Sequence, residues 1–468
     1  MSLIKRKHLQ CLIAASLALA CLGTAGAMAS AAAVSQPAAV HSQQPPAPPE
    51  GQFPPGPPPD GKFGGMQEAS NDAGTLNATK IIDGSDQNLT GQNLTNANTD
   101  ENVLLVRKGA NLTLTGGDFT KTGDSSSADA SNFTGQNGII LVNNSTAALE
   151  NLNLSSDADG ANAIFATGEK AQITAKHIKI HTKNNSSRGL DATYGGTIKA
   201  SDVDITTEGA HCGALATDRG EGNVLVNGAK IKTSGEGSPC IYSTGNIQLT
   251  NGVGEATGSE IAVVEGKNSI TLDHAVLTGH VKHGVMLYQS FSGDANVGIA
   301  KFTAKDSTLN NQSDGPMFYI TNTTAEADLE NTILNQQGDV LVKVTSDRWG
   351  AEGKNGGDFT LNAKQQILNG QILANNISKV KLNLGEAADF KGTINADNQA
   401  EAAGITLSKD ATWELTADAY VTTISDEAAD FENINSNKHN IYYDKSSNPA
   451  LNGKTIRLPG GGKLKPMH

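Results

Sequence analysis

Aromatic side chains are scarce in this chain, at 4% of 468 residues, and charged ones reach only 18%. That profile excludes a coiled coil and an ordinary helical enzyme, both of which are richer in charge. Positive charge is the rarer sign: 35 Lys and Arg stand against 48 Asp and Glu, a formal net charge of -13. An acidic chain of this kind argues against nucleic acid or any other anionic polymer as partner. Long apolar runs are missing beyond the start of the chain, so nothing downstream approaches the roughly 18 residues that a membrane-spanning helix needs. Proline is nearly absent from Asp60 to Ala450, where only Pro239, Pro316 and Pro449 occur. That absence suits a long hydrogen-bonded sheet, because proline cannot donate to a ladder.

The start of the chain reads as an export leader over 1–29. Lys5, Arg6 and Lys7 precede the apolar run LIAASLALACLG, and Ala25-Gly26-Ala27-Met28-Ala29 supplies small residues for cleavage. The predicted location is therefore outside the cytoplasm: cell surface or extracellular, with the periplasm as an alternative. Residues 30–75 hold a proline-rich run from Pro37 to Pro59, an extended disordered spacer that holds the folded part away from an envelope.

Two patterns then recur together, about 25 residues apart. The first is φ-x-φ-x-x-φ-x-φ, with each φ facing inward from two short strands separated by a bend. It is clearest at Ala147, Leu149, Leu152 and Leu154, and in the copies beginning at Ile173, Ile198, Val224 and Ile270. The second is a five-residue strand before each template, such as GIILV at Gly138, AIFAT at Ala163 and VMLYQ at Val285. Units this short cannot bury their apolar side alone, so they must stack on one another. Stacked successive strands of one chain give parallel sheets, and the crossover rule sets their hand. The expectation is an all-β, right-handed parallel β-helix over 76–400, with end coils and a cap over 401–468. Extra residues at 124–137 and 290–297 read as loops on two coils.

The closing stretch GITLSKDATWELTADAYVTTI from Gly404, with NIYYD at Asn440 and GKTIRLPGGGKL at Gly453, resembles the end coils of bacterial autotransporter passengers. These adhesin-like proteins belong to the pectin lyase-like superfamily of right-handed β-helices. The resemblance implies a surface adhesin, or a module binding a glycan or host-surface protein, without a cofactor. The alternatives are a polysaccharide lyase or glycoside hydrolase of the same fold, and a structural spacer.

Catalysis on this fold uses clustered carboxylates with an Arg or Lys opposite them. None of Arg107, Arg188, Arg219, Arg348 and Arg457 is expected to share adjacent-coil columns with a pair of acids, and Asp191 is expected to lack a stacked acidic partner. No catalytic residue and no metal ligand is therefore assigned. His177 with His181, and His274, His280 and His283, read as a solvated face. Cys11 and Cys21 fall in the leader, which leaves Cys212 and Cys240 at the start of the same strand in adjacent coils, a candidate disulfide.

The third position of the five-residue strand should point outward. Read down the coils, that column is Leu105, Ile140, Phe165, Asp191, Leu215, Tyr242, Val263, Leu287, Tyr319 and Lys343. A stripe so apolar is either covered by the two loops, the spacer or a second copy, or it is a ligand face. Phe165, Tyr242, Leu287 and Tyr319 are the candidate binding residues, since flat rings stack on sugars or anchor a protein partner.

Overall fold

The computed structural model describes residues 75–290 and 292–467. The leader expected over 1–29, and the spacer expected over 30–75 as far as residue 74, lie outside them. The described chain is a parallel β-solenoid of about 16 turns, with about 25 residues per turn. Short strands stack into a 15-stranded sheet, hereafter the short-strand sheet. Longer strands, among them Gln172–Thr182, Thr197–Thr207 and Asn223–Thr233, form the opposing long-strand sheet.

The inward register follows the apolar template. Ala147 pairs with Ile173, Ile173 with Ile198, Ile198 with Val224, Val224 with Ile247 and Ile247 with Ile270. The last template position stacks in the same way through Leu154, Ile180, Ile205 and Ile231. Each of these side chains is buried, and together they belong to one continuous apolar core. The bend between the two template halves has a fixed device. Asn151, His177, Asp202, Asn251 and His274 all adopt left-handed backbone angles there, so both residues between the inner φ positions face solvent.

At the end of the solenoid a four-stranded sheet covers the last coils. The final pair, Ile456–Arg457 and Lys463–Pro466, runs antiparallel and interrupts the parallel stacking. Tyr443, in the strand Ile441–Tyr443 of this sheet, is buried, as is Trp413 in the short-strand sheet, with the Trp413 indole donating to the Gly392 carbonyl at 3.0 Å. No described helix is long and apolar enough to cross a membrane.

Candidate functional site: the outward face of the short-strand sheet

The outward column runs Leu105, Leu141, Phe165, Asp191, Ala216, Tyr242, Val263, Met286, Tyr319 and Lys343. Three positions thus differ from the sequence expectation. Ile140, Leu215 and Leu287 sit one residue away from it and belong to the main core, Leu287 opposite Ile320 and Val264. Leu287 is therefore an interior residue and not a binding candidate. In a strand of period two, a slip of one position exchanges the faces.

The expected loops are the roof of this column. Residues 124–137 contain a short helix, α1 (Ala128–Thr134). Ser127 caps its start by accepting from Ala130 N, and Gly135 ends it in a left-handed conformation. Gly135 is doubly required, since a Cβ there would also fall 2.6 Å from Leu141 and 2.7 Å from Phe165. Beneath this segment Leu105, Leu141 and Phe165 form a small buried cluster of their own. Phe165 is fully buried, so it is not an accessible contact.

Farther along, the outward face is polar and still covered. Arg188 Nη1 lies 2.9 Å from Asp191 Oδ2 and 2.6 Å from Asp218 Oδ2, and all three side chains are buried. The expectation that no arginine shares neighbouring coils with two acids is overturned here. Asp191 lies in the column itself, and Asp218 follows the next strand by one residue. Burial pushes both carboxyls upward, against the attraction of the Arg188 guanidinium. Two carboxylates on one cation leave an unmatched negative charge, which favours keeping a proton on one of them.

Two coils on from Asp218, Glu265 is also buried. It accepts from the Tyr242 hydroxyl at 2.6 Å, from Tyr288 at 2.8 Å and from the Ser290 hydroxyl. Burial raises both tyrosine hydroxyls well above their usual range, so they remain donors. Ser290 begins the 290–297 loop, and Arg219 holds that loop through Asp294. The loop therefore closes over the Glu265 carboxylate.

Exposure along the column is partial and rises toward its far end. Tyr242 and Met286 are half-buried, and Lys343 is exposed. Tyr319 keeps 7% of its surface, yet its ring is stacked by His283, with centroids 4.0 Å apart and planes 2° apart. Its hydroxyl donates to Asp347 Oδ2 at 2.8 Å. Trp349 closes the same end, 5.7 Å from the Tyr288 ring, with the Arg348 guanidinium 4.6 Å above it. Burial holds the His283 imidazole well below its usual range.

The other candidates are placed elsewhere. Cys212 and Cys240 are both buried free thiols, so the expected disulfide is not formed. Leu215 pairs with Ile241, which sets Cys240 opposite Ala214 and two residues along from Cys212. The Cys212 sulfur instead accepts from Ser187 N at 3.0 Å. The histidines are separated: His280 meets Glu255 at 2.9 Å, while His274 meets Asp273 at 2.6 Å. Asp273, His274 and Asp306 bring ligand atoms within 4.8 Å of one another on the solvent side, an arrangement able to hold a divalent cation. No family model, no curated protein and no solved structure matches the chain.

Proposed function

We propose that this chain is an exported cell-surface or extracellular β-helix that binds a glycan or a surface protein through the open end of the outward column. The observation supporting it is a concentration of rings. In a chain with seven tyrosines and two tryptophans, Tyr194, Tyr242, Tyr288, Tyr319 and Trp349 all lie along this one side of the solenoid. Half-buried Tyr242, Met286 and Trp349 combine apolar area with little side-chain freedom to lose, which suits recognition of sugar faces or of a partner's apolar anchor. The likeness of the closing coils to autotransporter passengers points to the same surface role. A glycan array and a cell-surface binding assay, run with the wild type, Trp349→Ala and Met286→Ala, test this reading. Saturable binding that is lost in the variants while the thermal transition holds supports it; binding that survives both substitutions overturns the site.

A second reading, polysaccharide cleavage, rests on the Arg188, Asp191 and Asp218 group, which sets two carboxyls beside a cation; because all three are buried, it requires their cover to move aside before a glycan reaches them. Assays for reducing ends and unsaturated products on acidic and neutral polysaccharides separate the two. Turnover abolished by Asp218→Asn would replace binding with catalysis.

A further inference from the structure

In the coils from Asn111 onward, the last inward residue of the long strand is aligned in one column: Lys121, Ser156, Thr182, Thr207 and Thr233. Three of these are threonines, whose hydroxyls donate to the carbonyls of Ser187, Cys212 and Ser238. Lys121 breaks that pattern. It is fully buried, where a cation is costly, and its register partner in the first coil is Asn96, itself only 5% exposed. Lys121 Nζ lies 3.2 Å from Asn96 Oδ1 and 2.6 Å from the Asn98 carbonyl. Asn96 Nδ2 in turn donates to Glu101 Oε2 at 3.2 Å. Burial lowers the lysine to about 8, against the through-space pull of Glu101, Asp124 and Asp100, so free amine is present near neutrality. A buried amine, a carboxamide beside it and a carboxylate on the amide nitrogen are the three groups that amide exchange needs.

We propose that Lys121 and Asn96 join in an intramolecular isopeptide bond. The Nζ lone pair attacks Asn96 Cγ, the Cγ–Nδ2 bond breaks, and Nδ2 leaves as ammonia. One Nζ proton is transferred to the departing Nδ2, which Glu101 Oε2 holds in place by accepting from it at 3.2 Å. The exchange is amine plus primary amide giving secondary amide plus ammonia, so no oxidant or reductant enters. The bond ties the first coil to the second. That is where a staple matters, because the first coil's strands Ala78–Asp83 and Gln87–Asn96 pair on one side only among the described residues, and their side chains are largely exposed.

Tryptic mapping of the denatured full chain tests the bond directly. The expected product is a branched peptide joining 81–107 to 109–170, uncut after Lys121 and lighter than its two parts by one ammonia. Lys121→Arg and Asn96→Ala should yield only linear peptides, and Glu101→Gln should leave most of the chain unlinked. Linear wild-type peptides of unaltered mass overturn the proposal. So does an ammonia loss confined to 81–107 and retained in Lys121→Arg, which marks a succinimide at an asparagine instead. A branched peptide formed undiminished in Glu101→Gln overturns the role assigned to that carboxylate.

Discussion

The guanidinium of Arg219 lies 3.8 Å above the centre of the Phe133 ring while its Nη2 donates to Asp294 Oδ1 at 2.8 Å. One side chain thereby fastens both insertions, α1 and the 290–297 loop, to the solenoid. Each contact is half-exposed, and a cation–π contact or ion pair of this kind contributes about 0.5–1 kcal/mol. Arg219→Ala should lower global stability by only about 1–2 kcal/mol. Its main effect should be local: faster amide exchange at 128–135 and 292–297, with the core strands unchanged. Unaltered exchange in both segments would show that other contacts hold the roof.

Arg188 is the opposite case, a buried cation between two buried carboxylates. Removing it leaves both negative charges without their partner, a change that costs about 3–5 kcal/mol. Arg188→Met should therefore be strongly destabilised at neutral pH. The pH dependence has a definite sign. With folded pKa values raised above the unfolded value of about 3.9, the folded state of the variant binds more protons, and stability falls as pH rises through the raised values. Urea titrations should show Arg188→Met recovering part of its loss at mildly acidic pH, and adding Asp191→Asn with Asp218→Asn should recover more. No recovery by either route would mean that the cost lies in packing.

The repeat was legible because the inward positions are chosen by a single physical rule. Ile173, Ile198 and Val224 stack at the period that the apolar spacing gives, and the register agrees residue by residue. Leu287 was misplaced because both faces of the short strands are apolar: VMLY reads equally well with Met286 or Leu287 outward, so alternation carries no signal there. What covers the column was not legible either. The 124–137 segment is polar, and it serves as a roof only because Phe133 and Gly135 meet side chains from other coils. Arg188 precedes its strand, outside the repeating window, and its pairing with Asp218 depends on where the next coil turns. One signal did exist, Asp191 as the lone acid in an apolar column; Glu265 was hidden by the same slip, since the frame that put Leu287 outward sets it against Gln289, whereas it pairs with Tyr288.

The two thiols provide an independent check on register. Burial pushes Cys212 up to about 11 and Cys240 up to about 12, so neither forms appreciable thiolate near neutral pH. Alkylation of the native chain without reductant should leave both unmodified at first. Alkylation in denaturant, still without reductant, should add a label at each. A chain resistant to alkylation in denaturant until reduced would contain the disulfide after all, and would require Cys212 and Cys240 to move together by two residues of register.

His283 makes the open end of the aromatic strip sensitive to pH. Its ring is half-buried against Tyr319, with Lys282 beside it and Glu260 and Asp347 as the facing acids. Desolvation outweighs those acids and keeps the folded imidazole neutral well below its usual value. In the unfolded chain the same group takes up a proton near pH 6.5. The unfolded state thus binds more protons below that value, and stability at this end is lost as pH falls from about 6.5 toward the lowered folded value. His283→Phe keeps a flat ring on Tyr319 but cannot titrate. Exchange of amides at 285–290, measured between pH 7 and pH 5 and corrected for intrinsic rates, should show the wild type losing protection relative to the variant. A difference of about 1.4 kcal/mol is expected for each pH unit over which only the unfolded state is protonated. Identical losses in both proteins would place the titrating group elsewhere and leave the His283–Tyr319 pair as packing alone.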